Sequence, residues 1–272
     1  MMETVKQESA AEDAARIIKN ISEMFASVDM PRLAQDSLYM GAPYGMLVNL
    51  SGALERQIDE NDNRRFYNRM RYAGIVKERT ENTYLWNDGT YPNMAPGLIE
   101  QALTLGFVGD KKNIIMAGPS GVGKSTLAVI LACKALRKEF SVKYKTAHDI
   151  VTDLQEARQG DSLSRYINRM QACDVLVIED ITYSDPDGKT AHDFFSIIDK
   201  RYGRKSTVIT TNGNLKEWAD VFPDKKMYTA LLGRLYEDAF VLNMNGAKDM
   251  RLSRAQGMLL TDERVIVKND AQ

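Results

Sequence analysis

A short apolar run, Asn113 to Ala117, leads straight into GPSGVGKST, Gly118 to Thr126, and the residues that follow read as a helix. This order of strand, glycine-rich loop and helix restricts the fold more than anything else in the chain, because the loop works only where a buried strand delivers it to a helix N-terminus. The pattern GxxxxGK[ST] is met by Gly118, Gly123, Lys124 and Ser125. Its glycines let the backbone curl so that N–H groups point inward at phosphate oxygens, where a side chain would obstruct them. Pro119, Ser120, Gly121, Val122 and Thr126 complete the cradle. Lys124 is expected to give a point charge to the β- and γ-phosphates, and Ser125 a hydroxyl to Mg2+. The expected ligands are therefore ATP and Mg2+. A glycine-rich turn that binds nothing would not need the flanking strand and helix.

A chain of 272 residues, 44% of them hydrophobic, can hold one α/β domain with a smaller attachment. Cys133 and Cys173 both lie in apolar surroundings, which predicts buried, reduced thiols. His148 and His192 have no Cys or His at metal spacing, so no structural zinc is expected. The longest apolar stretch, Thr126 to Cys133, is too short to cross a bilayer and no signal peptide opens the chain. A cytoplasmic protein with no membrane partner is the expectation. With a net charge of −1, any nucleic-acid binding must come from local patches.

Ala14, Ile17, Ile18, Ile21, Met24, Phe25 and Val28 recur at helical spacing before Pro31, and a second helical region runs from about Tyr44 to Ala73. Residues 81–96 collect Asn, Asp, Gly and Pro and read as a linker. The expected organisation is a helical domain over 1–80, that linker, an ATPase domain over 97–254 and a tail over 255–272. In the ATPase domain, β-rich runs alternate with helical patterns, which predicts an α/β fold with a five-stranded parallel sheet between helices. The candidate strands are Asn113–Ala117, Ser141–Thr146, Asp174–Ile178, Thr207–Thr211 and Ala239–Met244.

A phosphate loop specifies a nucleotide and not a task, so the other motifs must decide. The run DVLVIED, Asp174 to Asp180, is a buried strand ending in two carboxylates, which places Glu179 and Asp180 beside the loop. One acid there can hold the Mg2+, for which Ser125 and Glu179 are the candidate ligands, and the other can orient the attacking water. Putting Glu first displaces each carboxylate by about one methylene from the commoner Asp-first order, which predicts slow hydrolysis if the water is poorly placed. The strand STVITTN, Ser206 to Asn212, ends on an Asn that can hydrogen-bond the γ-phosphate or its water, or simply open a turn before Gly213.

Taken with RYGRKSTVITTN, WADVFPD and ALLGRL, these motifs resemble the AAA+ ATPases of the IstB and DnaC group, over roughly residues 45–252. WADVFPD points to the IstB side, the insertion-sequence transposition helpers, more than to DnaC/DnaI-type helicase loaders. The resemblance implies a P-loop AAA+ core, and ATP-dependent assembly of a ring or helical homo-oligomer on duplex DNA that recruits and stimulates a transposase. By the same resemblance Lys124 and Ser125 take the Walker A positions, Glu179 and Asp180 the Walker B pair, and Asn212 the sensor position. Arg234 matches the arginine finger that acts on a neighbour's ATP, and Arg251 the second sensor arginine. The family's aspartate before the finger is Gly233 here, and its Ser-x-Tyr-Arg-like stretch is replaced around Asp249 and Met250.

The segment from Arg64 to Arg79 carries Arg64, Arg65, Arg69 and Arg71 among its six basic residues, with Phe66, Tyr67 and Tyr72 between them. These arginines could contact DNA phosphates, or lay their stems over apolar surface. Lys143, Lys145 and Arg158 are a second candidate patch, since in related ATPases this region lines the DNA-facing side. A replicative-helicase loader is the nearest rival reading. A small-molecule kinase is a remote one, for which no acceptor pocket or arginine-bearing lid is assignable.

Overall fold

A computed structural model describes residues 2–83, 90–181, 187–212, 225–237 and 239–250. Contacts divide the chain into two units, Met1–Asn68 and Arg69–Gln272, a division that falls before the linker read at 81–96. In the first unit, α1 (Met2–Ser27) and the opening turns of α2 (Tyr44–Ala73) bury the apolar stripes that their spacing predicts. Ile21, Phe25 and Leu47 form its centre, with Ala14, Ile17, Ile18, Leu50 and Leu54 packed around them. Between the helices, the Tyr39 ring stacks on Phe25 at a centroid distance of 6.2 Å and its hydroxyl donates to the Leu33 carbonyl at 2.8 Å. The expected second helix has the bounds read from the sequence.

In the second unit, α3 (Leu98–Leu103) and α4 (Gly106–Gly109) precede β1 (Ile114–Ala117). Then come α5 (Lys124–Arg137), β2 (Val142–Thr146), α6 (Ala147–Gln159), α7 (Leu163–Ala172) and β3 (Val175–Glu179). α8 (Gly188–Arg201), β4 (Ser206–Thr211), α9 (Lys225–Tyr236) and β5 (Phe240–Asn243) complete it. The strands form one sheet in the order β2-β3-β4-β1-β5, and every neighbouring pair is parallel. The α/β class is thus the one expected, and each strand starts and stops within one residue of its candidate run. Parallel strands must be joined by crossovers, so all five carboxyl ends gather on one edge, where such sheets bind ligands.

Both faces of the sheet are covered. Ile115, Leu176, Ile178 and Ile209 share one buried core with α6, α7, α8 and α9. The alternate residues Ile114, Met116, Val175, Val177 and Val208 are buried on the other face, where α5 packs against β2, β3 and β4. α5 is apolar nearly all round because it lies between the sheet and α3. At the amino edge, the buried Arg201 guanidinium donates to the carbonyls of Met170, Cys173 and Ser206 and to the Thr207 hydroxyl, and so fastens α7 and α8 to β3 and β4. Burial pulls its pKa below the ordinary arginine value. Cys133 and Cys173 are buried and unbridged as expected, and burial raises both thiol pKa values. Among the described residues no helix is long and apolar enough to cross a membrane.

Candidate functional site

The loop from Gly118 to Gly123 leaves β1 at the carboxyl edge and hands the chain to α5, whose N-cap is Gly123. Gly121 and Gly123 have φ of +86° and +97°, a region closed to most L side chains, and this lets successive N–H groups turn toward one concavity. The α5 N-terminus adds its partial positive charge there. Lys124 is buried and donates to the carbonyls of Gly118 at 2.6 Å and Pro119 at 2.7 Å, folded back on its own loop. Ser125 is exposed on the first turn of α5.

Three residues that the motif does not include hold the loop from outside. Tyr91 is buried and donates its hydroxyl to the Val122 carbonyl at 2.8 Å, so this part of the expected linker belongs to the nucleotide loop. The Met250 N–H donates to the Gly121 carbonyl at 3.0 Å. A Cβ on Gly121 would meet the Asp249 carboxylate at 2.3 Å, which explains why only glycine fits. Sequence reading could not find Tyr91, whose neighbours are turn formers.

Glu179 ends β3 and Asp180 follows it with φ of +50°, a left-handed conformation that aspartate tolerates better than most residues. Asp180 thus lies just beyond the strand, and the two carboxylates have different partners. Asp180 donates its N–H to the Thr210 hydroxyl and accepts from Asn212 Nδ2, both at 3.1 Å, so the expected sensor asparagine touches the second acid. Glu179 Oε2 accepts the Tyr144 hydroxyl at 2.7 Å. Burial first, and the Glu179 charge next, push the Tyr144 pKa far above its ordinary value, so the phenol stays a donor. The Ser125 hydroxyl and the Glu179 carboxylate are hard oxygen donors of the kind Mg2+ takes alongside phosphates and water. The loop fits a triphosphate by the same test of donors: curled backbone N–H groups, a helix N-terminus and a lysine.

A glycine loop, two carboxylates and an asparagine share one sheet edge, and comparison with known proteins gives the chain a lineage. The family model described as IstB-like ATP binding protein matches residues 34–257. The chain belongs to the IstB-like family. It is 29% identical over 193 residues to an insertion sequence IS5376 protein of Geobacillus stearothermophilus named as ATP-binding, covering 71% of this chain and 76% of that one. Among solved structures, AMPPCP-bound DnaA from Aquifex aeolicus gives a TM-score of 0.53 at 16% identity over 67% of this chain and 54% of that one. DnaI gives 0.50 at 17% identity over 61% and 90%. At such identities these two likenesses concern the fold alone.

Several other candidate residues of this IstB-like chain have partners of their own among the described residues. Arg234 sits on α9 with Nε 2.9 Å from Asp199 Oδ1 and its guanidinium over the Phe195 ring at 5.2 Å. Its carbonyl faces Asn113 Nδ2, just before β1, and thus the amino edge of the sheet rather than the phosphate edge. Arg251 and WADVFPD fall outside the described residues. Arg64 and Arg65 are exposed on the part of α2 that belongs to the first unit, Arg65 with Asp62 at 3.7 Å. Arg69 donates to the Leu136 carbonyl at the end of α5, and Arg158 pairs with Asp193. By contrast Arg71, Lys143 and Lys145 line one cleft of about 500 Å3, together with Arg169 of α7, which the sequence reading missed. Lys143 donates to the Tyr72 carbonyl at 2.7 Å and Lys145 pairs with Asp153 at 2.9 Å.

Proposed function

We propose that this protein is a Mg2+-dependent ATPase that assembles as a ring or helical homo-oligomer on duplex DNA and there recruits and stimulates a transposase. One observation carries the reading: the glycine cradle, Lys124, the Glu179–Asp180 pair and Asn212 share one edge of a parallel sheet in a chain of an ATP-binding family. That a related chain is encoded by an insertion sequence supports the transposition role.

In this reading Lys124 exchanges the carbonyls of Gly118 and Pro119 for oxygens of the β- and γ-phosphates. The loop N–H groups and the α5 dipole neutralise the phosphates. Bound Mg2+, held by Ser125 and Glu179, would supply further neutralisation of the charge that builds up as the γ-phosphoryl group transfers. Asp180, steered by Asn212, orients the water that attacks the γ-phosphorus as ADP departs. Arg234 leaves Asp199 on assembly and serves the ATP of a neighbouring copy, so turnover depends on the oligomer. Arg251 would contact phosphate within its own subunit. The Arg71, Lys143, Lys145 and Arg169 cleft takes DNA phosphates, with Arg64 and Arg65 as further contacts; Arg69 and Arg158, already engaged, contribute less. Such a task places the protein in the cytoplasm.

The test is turnover measured against protein and DNA concentration, with electron microscopy of the protein on duplex DNA with a slowly hydrolysed ATP analogue. Decorated DNA and turnover that rises with both concentrations support the reading. Phosphorylation of a metabolite without DNA would instead make it a kinase. Capture of a replicative helicase in place of a transposase would make it a helicase loader.

A further inference from the structure

β2 and β3 pair in parallel register, with Tyr144 opposite Val177 and Thr146 opposite Glu179. Because side chains alternate along a strand, Tyr144 lies on the same face of the sheet as Glu179, one pleat back, and a phenol is long enough to span that gap. The hydroxyl donates to Glu179 Oε2 at 2.7 Å. A glutamate has one more rotatable bond than an aspartate, so a carboxylate meant to meet a metal from this position is less well fixed by its own backbone. Tyr144 removes that freedom from the neighbouring strand. Gly74, with φ of +92°, lies so close to the Tyr144 carbonyl that an added Cβ would meet its oxygen at 2.6 Å, and the β2 backbone is held from that side as well.

We propose that Tyr144 is a positioning residue: by occupying Oε2 it fixes the Glu179 side chain and leaves Oε1 directed to the Mg2+ of bound Mg·ATP. The inference rests on the reading of Glu179 as a metal ligand. A partner of this kind acts on a metal by orienting its ligand, and losing one commonly costs about 10- to 100-fold in metal affinity or activity.

The experiment compares wild type, Tyr144→Phe, Glu179→Gln and the double variant. It measures the affinity of a fluorescent ADP analogue with and without Mg2+, and the Mg2+ concentration that gives half-maximal ATP turnover. Tyr144→Phe keeps the buried ring and should leave the Mg2+-free affinity unchanged. It should raise the half-maximal Mg2+ concentration about tenfold and lower kcat at saturating Mg2+ with little change in KM. The double variant should show no more Mg2+ sensitivity in nucleotide binding than Glu179→Gln alone, because Tyr144 acts through Glu179. A Tyr144→Phe protein with wild-type Mg2+ dependence, beside a Glu179→Gln protein that has lost it, overturns the role of Tyr144 and spares the metal site. If Glu179→Gln also keeps wild-type Mg2+ dependence, the metal-ligand reading fails and the inference falls with it. Should Tyr144→Phe not fold, Tyr144→Leu, which also removes the hydroxyl, takes its place with the same expected and refuting results.

Discussion

Asn212 offers a measurable test of how the two acids divide their work. Its Nδ2 donates to Asp180 Oδ1 at 3.1 Å, while the Asp180 backbone is separately tied to Thr210, so removing the amide should loosen the carboxylate's placement without unfolding the strand. A hydrogen bond to a charged group is worth about 1.5–3 kcal/mol, which corresponds to about 10- to 150-fold in rate if the bond is needed in the transition state. Asn212→Ala is therefore expected to lower kcat by that factor with nucleotide affinity nearly unchanged. Asn212→Asp should be worse, since it sets a second carboxylate where the donor was and two such groups resist joint ionisation. A coupled ATPase assay gives kcat, and a fluorescent nucleotide gives the affinity. A kcat for Asn212→Ala within about twofold of wild type, or an Asn212→Asp protein faster than Asn212→Ala, would refute the reasoning.

Arg201→Met should cost about 3 kcal/mol or more, because it strands the buried carbonyls of Met170, Cys173 and Ser206. At about 2–4 °C per kcal/mol this lowers Tm by roughly 6–12 °C, and a change under about 2 °C in a thermal melt would contradict it. Burial raises the pKa of Asp174, but hydrogen bonds from Lys205 and Ser141 outweigh it and hold the group at about 2. Its stabilisation is therefore full above the unfolded value of about 3.9 and disappears as pH falls toward the folded value. Asp174→Asn should be less stable than wild type at neutral pH, and urea titrations should show the gap closing on acidification; a gap that widens would reverse the sign.

The parts of the site that depend on local chain chemistry were legible in the sequence. The phosphate loop needs its glycines and lysine at fixed spacing, and the strands stand out as short runs rich in β-formers, mostly apolar except for β2, VKYKT. Asn212 reads from the sequence as either sensor or turn, and in the structure its amide bonds Asp180 just past the end of β3. Contacts made across the fold were not legible. Tyr144 reads as one more β-former, and only the register of β2 on β3 brings it to Glu179. Tyr91 lies among Asn, Pro and Gly, residues that announce a turn but say nothing of what the turn packs on. Arg69 illustrates the converse: a basic run suggests a DNA contact, yet its guanidinium closes the end of α5.

In the proposed assembly the active site is shared: one copy holds ATP and the next supplies Arg234. The direct measurement is ATP turnover on DNA by Lys124→Ala alone, Arg234→Ala alone and an equal mixture of the two. Each variant should be inactive by itself, and mixing should restore turnover, since interfaces form that pair an intact loop with an intact arginine. An Arg234→Ala protein that hydrolyses ATP at the wild-type rate, or a mixture as inactive as its parts, would contradict it.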